Sequence, residues 1–443
     1  MITEQEILIA RGALAIALEC GAQKARVTLS KDRMNLISTL DGKLDKCTCC
    51  LDRSVRIAIF VDGRYGGFST NKLEEAALRE FIGRAVQTVR MLAPDPCRDL
   101  PSQERVQKGA VSGTELDLVD RTFDSITPEQ RRDIALKACI SGTKGHELLI
   151  SEEAEYSDSI YDTLIIDSQG TWCRQTETSF EYFVETTIQD DKGDRYSSYR
   201  WDEAPRLADL KWQECGQMAY DKAIARINPA RCRNRKCNMV VDSEVASKFV
   251  SPILRALKGT AVQQHDSFLD GKLGQQVFPE GLTIIDEPHR KGKSNSCLFD
   301  DEGVATAEHT IIDKGTVREY LLSTWSAAKL GMQPTHQEAA RPRVLPWPKA
   351  GATRQDLLEL CGSGILVTEF NGGNSNSATG DFSFGIEGFE FKNGKILRPV
   401  REMLVTGNLV TLWSNVMACA DDARECMSKL IPTLAFSNVD FSG

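Results

Sequence analysis

The chain has 443 residues, 41% of them apolar and 26% charged, and its 63 acidic and 54 basic side chains give a formal charge of −9. This composition indicates a folded protein of two or three domains and excludes global disorder. The acidic balance argues against nucleic acid as the main partner, because binding to a phosphate backbone requires clustered Lys and Arg. The longest apolar run, residues 13–18, is far shorter than the roughly 18 residues of a membrane span, so no membrane partner is expected.

The first 20 residues do not resemble a secretion signal. Glu4 and Glu6 stand where a signal would carry positive charge, and Glu19 interrupts the apolar segment. We therefore expect an amphipathic helix in a cytoplasmic protein. In that reducing compartment the 14 cysteines would remain thiols.

The N-terminal half alternates helices with antiparallel hairpins. The predicted elements are a helix over residues 3–20, strands over 26–39 and 47–61, a helix over 72–92 capped by Asn71, a connection over 93–126, a helix from Thr127-Pro128 to about 140, strands within 147–199, and a helix over 203–227. Asp41-Gly42 and Asp62-Gly63 are favoured in two-residue hairpin turns, because both central residues adopt positive φ.

A boundary is predicted near residues 228–237, where Pro229 and several basic side chains interrupt the pattern. A solvated linker is favoured there over a phosphate-binding patch. Beyond it the predicted strands cover residues 239–241, 282–285, 309–322, 365–370, 382–400 and 430–436, and short helices cover 243–257, 354–360 and 408–417. The fold class is therefore α+β, with a domain of helices and antiparallel hairpins over residues 1–230, which the segment 93–126 could divide, and a β-rich domain over 231–443.

Metal-binding patterns are incomplete in this sequence. His146-Glu147 begins like a helical zinc motif, but Ile150 and Ser151 occupy the positions of the second histidine. The remaining histidines, His265, His289, His309 and His336, are scattered along the chain. The fold could still gather them, but this is disfavoured because zinc sites usually show close ligand pairs in the sequence.

The cysteine clusters also lack the spacing of a zinc ribbon. In a strand, Cys47 and Cys49 would point to one face and Cys50 to the other, and Cys232 and Cys237 lie in the linker. Free thiols are favoured over a metal cage, and the role of the first cluster stays open.

Glycine and turn residues of the last third carry the clearest signal. They include the stretch from Asn376 to Ser383 and the later Gly385, Gly388, Asn393-Gly394, Pro399-Val400 and Gly407-Asn408-Leu409. This pattern closely resembles the C-terminal domain of the TldD/PmbA family. Earlier segments agree in the expected order, namely residues 61–64 with Gly67 and Ser69-Thr70, residues 282–286, and residues 299–303.

The resemblance implies cleavage of small or unfolded peptides by a cytoplasmic dimer that encloses a chamber. Catalytic members of the family hold zinc with a His-Glu-three residues-His motif on a helix and a cysteine near the C-terminus. The corresponding helix here is predicted over residues 243–257, and its segment 251–257 contains no metal ligand. Cys426 lies near the position of the family's cysteine. In lacking these zinc ligands, the sequence resembles the PmbA (TldE) branch of the family, whose members pair with a catalytic TldD subunit.

The leading hypothesis is therefore a PmbA-like, metal-free subunit without catalytic residues or cofactor of its own, with zinc expected in its TldD-like partner. One alternative is an active metallopeptidase with zinc held by non-family ligands such as His265, His289 and Cys426. Another is a homodimeric peptide-binding protein. The motif residues Thr379, Gly380, Asp381, Phe382 and Ser383 either contact peptide or a partner, or form a tight turn before a buried strand, and the turn is favoured.

Overall fold

Helices and antiparallel strands follow one another throughout the computed structural model, which describes residues 1–231 and 233–443. Cys232 lies outside the described residues. The first elements are α1 (Glu4–Glu19), β1 (Lys24–Leu40), β2 (Lys43–Val61), β3 (Arg64–Thr70), α2 (Glu75–Val89), α3 (Pro128–Lys137), β4 (Leu149–Asp167), β5 (Trp172–Gln189), β6 (Arg195–Ala204) and α4 (Cys215–Ile224). They are followed by β7 (Ala230–Arg231), β8 (Arg235–Val241), α5 (Ser251–Ala256), α6 (Gly259–Gln263), β9 (Ile284–Asp286), β10 (His309–Asp313), β11 (Thr316–Val317), α7 (Thr324–Leu330), β12 (Pro342–Val344), α8 (Arg354–Cys361), β13 (Ser363–Ser375), β14 (Asp381–Lys392), β15 (Lys395–Asn408), α9 (Leu409–Ser414), β16 (Val416–Cys419) and β17 (Leu434–Ser442). The α+β class predicted from the sequence is confirmed.

The chain divides into two compact units, each built from discontinuous segments. The first unit comprises Met1–Asp221, His289–Ala307 and Ser323–His336. The second comprises Lys222–Pro288, Glu308–Leu322 and Gln337–Gly443. The two-domain boundary near residue 230 stays a prediction.

The first unit contains a six-stranded sheet in the order β3-β2-β1-β4-β5-β6. Its neighbouring strands run antiparallel. The predicted hairpin turns are confirmed, because Asp41 and Gly42 have φ of 50° and 70°, and Asp62 and Gly63 have φ of 52° and 67°. Helices α1 and α2 cover one end of this sheet, where their apolar faces form a core with β1 and β2.

Two helix starts contrast in their chemistry. Thr127 caps α3 through a reciprocal pair of hydrogen bonds with Gln130, as the Thr-Pro signal predicted. The predicted Asn71 cap of the second helix is wrong. Helix α2 begins after Glu74, whose side chain makes no capping bond, so burial of its apolar face specifies this helix.

The helix predicted over residues 203–227 is also wrong at its start. Strand β6 extends to Ala204, because it pairs with β5 along its whole length and most of its alternate side chains are buried. Pro205 cannot supply a backbone donor, and α4 begins only at Cys215. Strand pairing therefore overrides the local helical pattern in this segment.

The second unit contains a seven-stranded sheet in the order β16-β17-β8-β13-β14-β15-β7. The sheet closes on itself, because β15 also pairs with β17. The predicted Asn393-Gly394 turn joins β14 to β15, with φ of 52° and 70°. A smaller antiparallel sheet has the order β11-β10-β9-β12.

The predicted bounds of several helices and strands in the C-terminal half are wrong. The helix predicted over residues 243–257 is two short pieces, a 3-10 turn at Ala246–Phe249 and α5, which Val250 separates. The strand predicted over 309–322 ends at Val317, and the last strand begins at Leu434 and not at 430. Among the described residues, no helix is long and apolar enough to cross a membrane.

Candidate functional site

The segment that corresponds by resemblance to the family's zinc helix is a core element in the second unit. In residues 251–257 the side chains of Pro252, Ile253, Leu254, Ala256 and Leu257 are buried. The sequence of this segment supplies no imidazole, thiolate or carboxylate. Zinc sites require three or four such donors, so this segment does not fit a catalytic zinc ion.

Phe249, one residue before the bend at Val250, anchors this region in an aromatic cluster. Its ring lies 5.4–6.1 Å from four other rings in edge-to-face geometry, namely those of Phe370, Phe382, Phe384 and Phe436. Its carbonyl oxygen accepts a hydrogen bond of 3.2 Å from Trp413 Nε1. Aromatic packing therefore fixes the residue that precedes Val250 and α5 in the core of the second unit.

The motif residues 379–383 form a turn that leads into β14. Asp381 Oδ2 accepts from Thr379 Oγ1 at 2.7 Å, and its Oδ1 accepts from Asn408 Nδ2 at 2.9 Å. The bond from Asn408 and then that from Thr379 lower the pKa of Asp381, so the carboxylate stays ionised. These contacts are those of the turn predicted from the sequence.

The three other motif residues have different environments. Gly380 has φ of 80°, and a Cβ there would lie 3.2 Å from the ring of Phe268. Phe382 is buried in the aromatic cluster, whereas Ser383 is exposed on the opposite face of β14. Contact of Asp381 or Ser383 with peptide or a partner stays a prediction.

A network of ion pairs joins β9, β12 and the segment around residue 425. Arg341 donates from Nη2 to Glu425 Oε2 at 2.6 Å, and Arg343 donates to Glu287 and Glu425 at 3.0 and 3.1 Å. Asp286 accepts the backbone N–H of Arg341 at 2.6 Å. The sequence analysis missed this network, because its members are 55 to 84 residues apart in the chain.

The guanidinium of Arg341 is the most deeply buried charge of this network. Its side chain is 1% exposed, and among the described residues Nε and Nη1 have no hydrogen-bond partner. Burial lowers the pKa of Arg341, and Glu425 opposes that effect. Nε carries one N–H group and Nη1 carries two, and each can donate a hydrogen bond to water or to a carboxylate oxygen.

The non-family zinc ligands considered from the sequence have other local partners. His265 Nδ1 lies 2.6 Å from Asp270 Oδ2, and His289 Nε2 lies 3.0 Å from Thr306 Oγ1. Cys426 is buried and follows Glu425 of the ion-pair network. Nothing in this geometry favours zinc at these residues.

A cleft of about 440 Å³ lies beside α8 in the second unit. Its lining includes three carboxylates, those of Asp242, Glu244 and Asp422. Asp242 pairs with Arg354 at 2.5 Å, Glu244 lies 2.6 Å from Lys222 Nζ, and Asp422 accepts the backbone N–H of Thr433 at 2.7 Å. Asp242 and Glu244 are therefore each paired with a cation, whereas Asp422 accepts hydrogen bonds from neutral groups.

Two family models match the chain from residue 121 to its last residue, apart from a gap of six residues. Residues 121–227 match the PmbA/TldA metallopeptidase central domain, and residues 234–443 match the PmbA/TldA metallopeptidase C-terminal domain. The chain is 26% identical over 442 residues to the metalloprotease PmbA of Escherichia coli O157:H7, which covers 97% of this chain and 96% of that protein.

Two crystal structures share the fold over nearly the whole chain. A Bacteroides thetaiotaomicron protein, solved as a proposed modulator of DNA gyrase, is 35% identical with a TM-score of 0.95 and complete coverage of both chains. TldE from Thermococcus kodakarensis is 16% identical with a TM-score of 0.82, covering 98% of this chain and 100% of its own, and shows similarity of fold alone.

Proposed function

Because the chain belongs to the TldD/PmbA family, we propose that it is the PmbA/TldE-like subunit of a metallopeptidase complex that cleaves small or unfolded peptides. In this proposal the zinc is held by a TldD-like partner, and this chain contributes no catalytic group and binds no cofactor. The proposed complex acts in the cytoplasm.

The observation that carries the proposal is the composition and burial of residues 251–257. A family member with its own active site needs ligands for zinc and a base to activate water. This segment instead contributes five buried apolar side chains to the core of the second unit. A chain that keeps the family fold but not these donors is suited to support a partner's active site.

Peptide binding is supported by an open strand edge in the second unit. Strand β13 pairs with β8 only over residues 364–367, although β14 accompanies it to Ser375. Among the described strands, none pairs with the other edge of residues 369–375. An edge that binds an added strand through main-chain hydrogen bonds accepts many sequences. Within this edge, Gly372 and Gly373 have no side chains that would hinder an added strand.

A role on DNA is not part of the proposal, although one related structure carries the name of a gyrase modulator. The formal charge of −9 opposes binding to a phosphate backbone.

The test compares three preparations on a fluorescently labelled, unstructured peptide. They are this chain alone, a TldD-type partner alone, and both together. We expect chelator-sensitive cleavage only when the partner is present, and less than a tenth of an equivalent of zinc bound to this chain alone. A partner variant with an alanine in its zinc motif is the matched control and must abolish cleavage. Chelator-sensitive cleavage by this chain alone, with stoichiometric zinc, would overturn the proposal.

A further inference from the structure

The open section of the β13 edge has one end that is closed by the chain itself. Strand β8 runs parallel to β13 and pairs with it as far as Val367. The backbone N–H of Asp242 donates to the carbonyl oxygen of Val367 at 3.0 Å, and the chain then turns, because the N–H of Ala246 donates to the carbonyl oxygen of Asp242 at 2.9 Å. A peptide strand added along residues 369–375 would therefore lie in line with β8, with one of its termini at this turn.

Lys248 follows the turn and lies at the closed end of the edge. Its Nζ is 5.8 Å from the ring centroid of Phe370, which belongs to the open section, and 4.8 Å from that of Phe384. Among the residues that the structure describes, Lys248 forms no ion pair. The two rings partly shield its ammonium group from water, and a shielded charge attracts an opposite charge more strongly than an exposed one. A ligand carboxylate beside Phe370 can therefore accept a charge-assisted hydrogen bond from Lys248.

The acidic side chains around the closed end already have cationic partners. The pairs are Asp242 with Arg354, Glu244 with Lys222, and Glu369 and Glu387, which share Arg226. A ligand cation at this end would have to compete with these partners. Lys248, in contrast, can pair with a ligand carboxylate without giving up an acidic partner of its own. The closed end is therefore expected to favour a negative group over a positive one.

We propose that the β13 edge binds the C-terminal segment of a peptide antiparallel to β13, with the α-carboxylate of the peptide at Lys248. Strand β13 runs from the closed end toward Ser375. An antiparallel peptide therefore brings its C-terminal carboxylate to Lys248, whereas a parallel peptide would bring its N-terminal ammonium there. Antiparallel pairing is also slightly more stable per residue. This inference rests on the peptide binding in the proposed function, and it specifies the ligand as a peptide with a free C-terminus.

The length of the open section sets how much of the peptide is bound. Residues 369–375 extend over about 23 Å at about 3.3 Å per residue, which suits roughly seven peptide residues. Toward Ser375 no turn blocks the added strand as the one at the closed end does, and residues 371–374 are exposed. A longer peptide can therefore continue past this end. Main-chain hydrogen bonds supply affinity for many sequences, and Lys248 supplies the direction of binding.

The first test measures binding to the full chain by fluorescence anisotropy. The probe is an unstructured heptapeptide with fluorescein at its N-terminus and either a free carboxylate or an amide at its C-terminus. At low salt we expect the free acid to bind about tenfold more tightly than the amide, because it gains one charge-assisted pair. This difference should shrink as salt is added. A third peptide, an amide with glutamate at its fourth position, should bind like the plain amide.

Substitutions of Lys248 assign the preference to its ammonium group. Lys248→Met should remove the difference between acid and amide, Lys248→Arg should retain it, and Lys248→Glu should make the amide the tighter ligand. Lys392→Met is the matched control, because this exposed lysine lies about 26 Å from Phe384 along β14. It should leave the preference unchanged. Thermal melting of each variant verifies that the chain is folded.

The second test determines the direction of the bound peptide by photo-crosslinking. The free-acid peptide carries benzoylphenylalanine either as its second residue or as its last residue but one. On irradiation the ketone oxygen takes a hydrogen atom from a nearby C–H group, and the two carbon radicals join in a C–C bond. We expect the probe near the C-terminus to attach around Lys248 and Phe370, and the probe near the N-terminus to attach around Ser375. Mass spectrometry of the digested products locates both attachments.

Several outcomes would overturn this inference. They are an absence of binding by any of the peptides, equal affinity for acid and amide, a preference that survives in Lys248→Met, and tight binding of the amide with an internal glutamate. Attachment of the two probes in the reverse order would also overturn it.

The proposed function fails by a different result. A lack of peptide cleavage when this chain and a TldD-type partner are combined would refute the subunit role, but it would leave the binding measurements on this chain alone intact. Conversely, cleavage that depends on the partner, together with equal binding of acid and amide, would support the subunit role and refute the capture of a C-terminus by Lys248.

Discussion

Arg341 and Glu425 form an ion pair in which one partner is almost fully buried and the other is half exposed. Arg341 Nη2 lies 2.6 Å from Glu425 Oε2, and the two side chains are 1% and 48% exposed. Removing one partner is therefore expected to destabilise the protein more than removing the other. Removal of the carboxylate charge leaves a buried cation without a charged partner. After removal of the cation, Glu425 is still solvated and still pairs with Arg343 at 3.1 Å.

The first prediction follows from this asymmetry. Glu425→Gln should lower the free energy of unfolding by about 1–2 kcal/mol, because the buried guanidinium loses its charged partner while solvent access limits the effect. Arg341→Met removes the buried charge and retains most of the volume, so it should cost less than Glu425→Gln. Urea unfolding at neutral pH measures both. A larger loss in Arg341→Met would contradict this account.

The second prediction concerns pH and Glu6, whose carboxylate lies 2.9 Å from Lys31 Nζ. Burial raises the pKa of Glu6, but hydrogen bonds from Thr3 and Lys31 outweigh that effect and lower the pKa to about 2. A carboxyl group with a depressed folded-state pKa stabilises the protein above its unfolded pKa near 4.5. This stabilisation is lost as the pH falls toward 2.

Glu6→Gln should therefore destabilise the protein by about 2 kcal/mol at pH 7 and by progressively less from pH 4.5 downward. Denaturant unfolding of both proteins between pH 3 and 7 checks this trend. Glu75→Gln, at an exposed position in the first turn of α2, is the matched control and should show little pH-dependent difference. A constant difference between Glu6→Gln and wild type across the range would refute the pKa argument.

The third prediction addresses the aromatic core of the second unit. Phe249→Ala should lower the free energy of unfolding by about 3–5 kcal/mol, because the ring contacts four others and its loss leaves a cavity. Phe183→Ala removes the same atoms from a half-buried ring on β5 and should cost at most about 2 kcal/mol. Thermal and urea unfolding of the two variants measure both losses of unfolding free energy. Equal losses would contradict the core role of Phe249.

The fourth prediction separates the two interpretations of the motif residues 379–383. Asp381→Ala removes the acceptor for Thr379 and Asn408 and should lower the melting temperature by about 2 °C. Ser383→Ala should leave stability unchanged, because its side chain is exposed on β14. If Ser383 contacts peptide in the proposed complex, Ser383→Tyr should reduce peptide cleavage at unchanged melting temperature. Unchanged cleavage by Ser383→Tyr would contradict peptide contact at this residue and would leave the structural role in the turn.

Local chemistry explains most of what could be predicted from the sequence. Asp41-Gly42, Asp62-Gly63 and Asn393-Gly394 mark hairpin turns because positive φ is a property of a few residues. The α1 and α3 helices follow from capping residues and apolar periodicity, which act within one or two turns. The family resemblance likewise rested on glycine and turn residues.

The features that could not be predicted from the sequence depend on contacts between distant segments. The end of strand β6, residues 203–204, was predicted as helix, since only pairing with β5 shows that these residues continue the strand. The ion pairs of Arg341 and Arg343 could not be predicted because their partners are 56 to 84 residues away. The sequence by itself determined the turns, most of the helices and the lack of ligands in residues 251–257. Only the tertiary structure decided which strand edges stay open and which charges become buried, because both depend on pairing between segments remote in the chain.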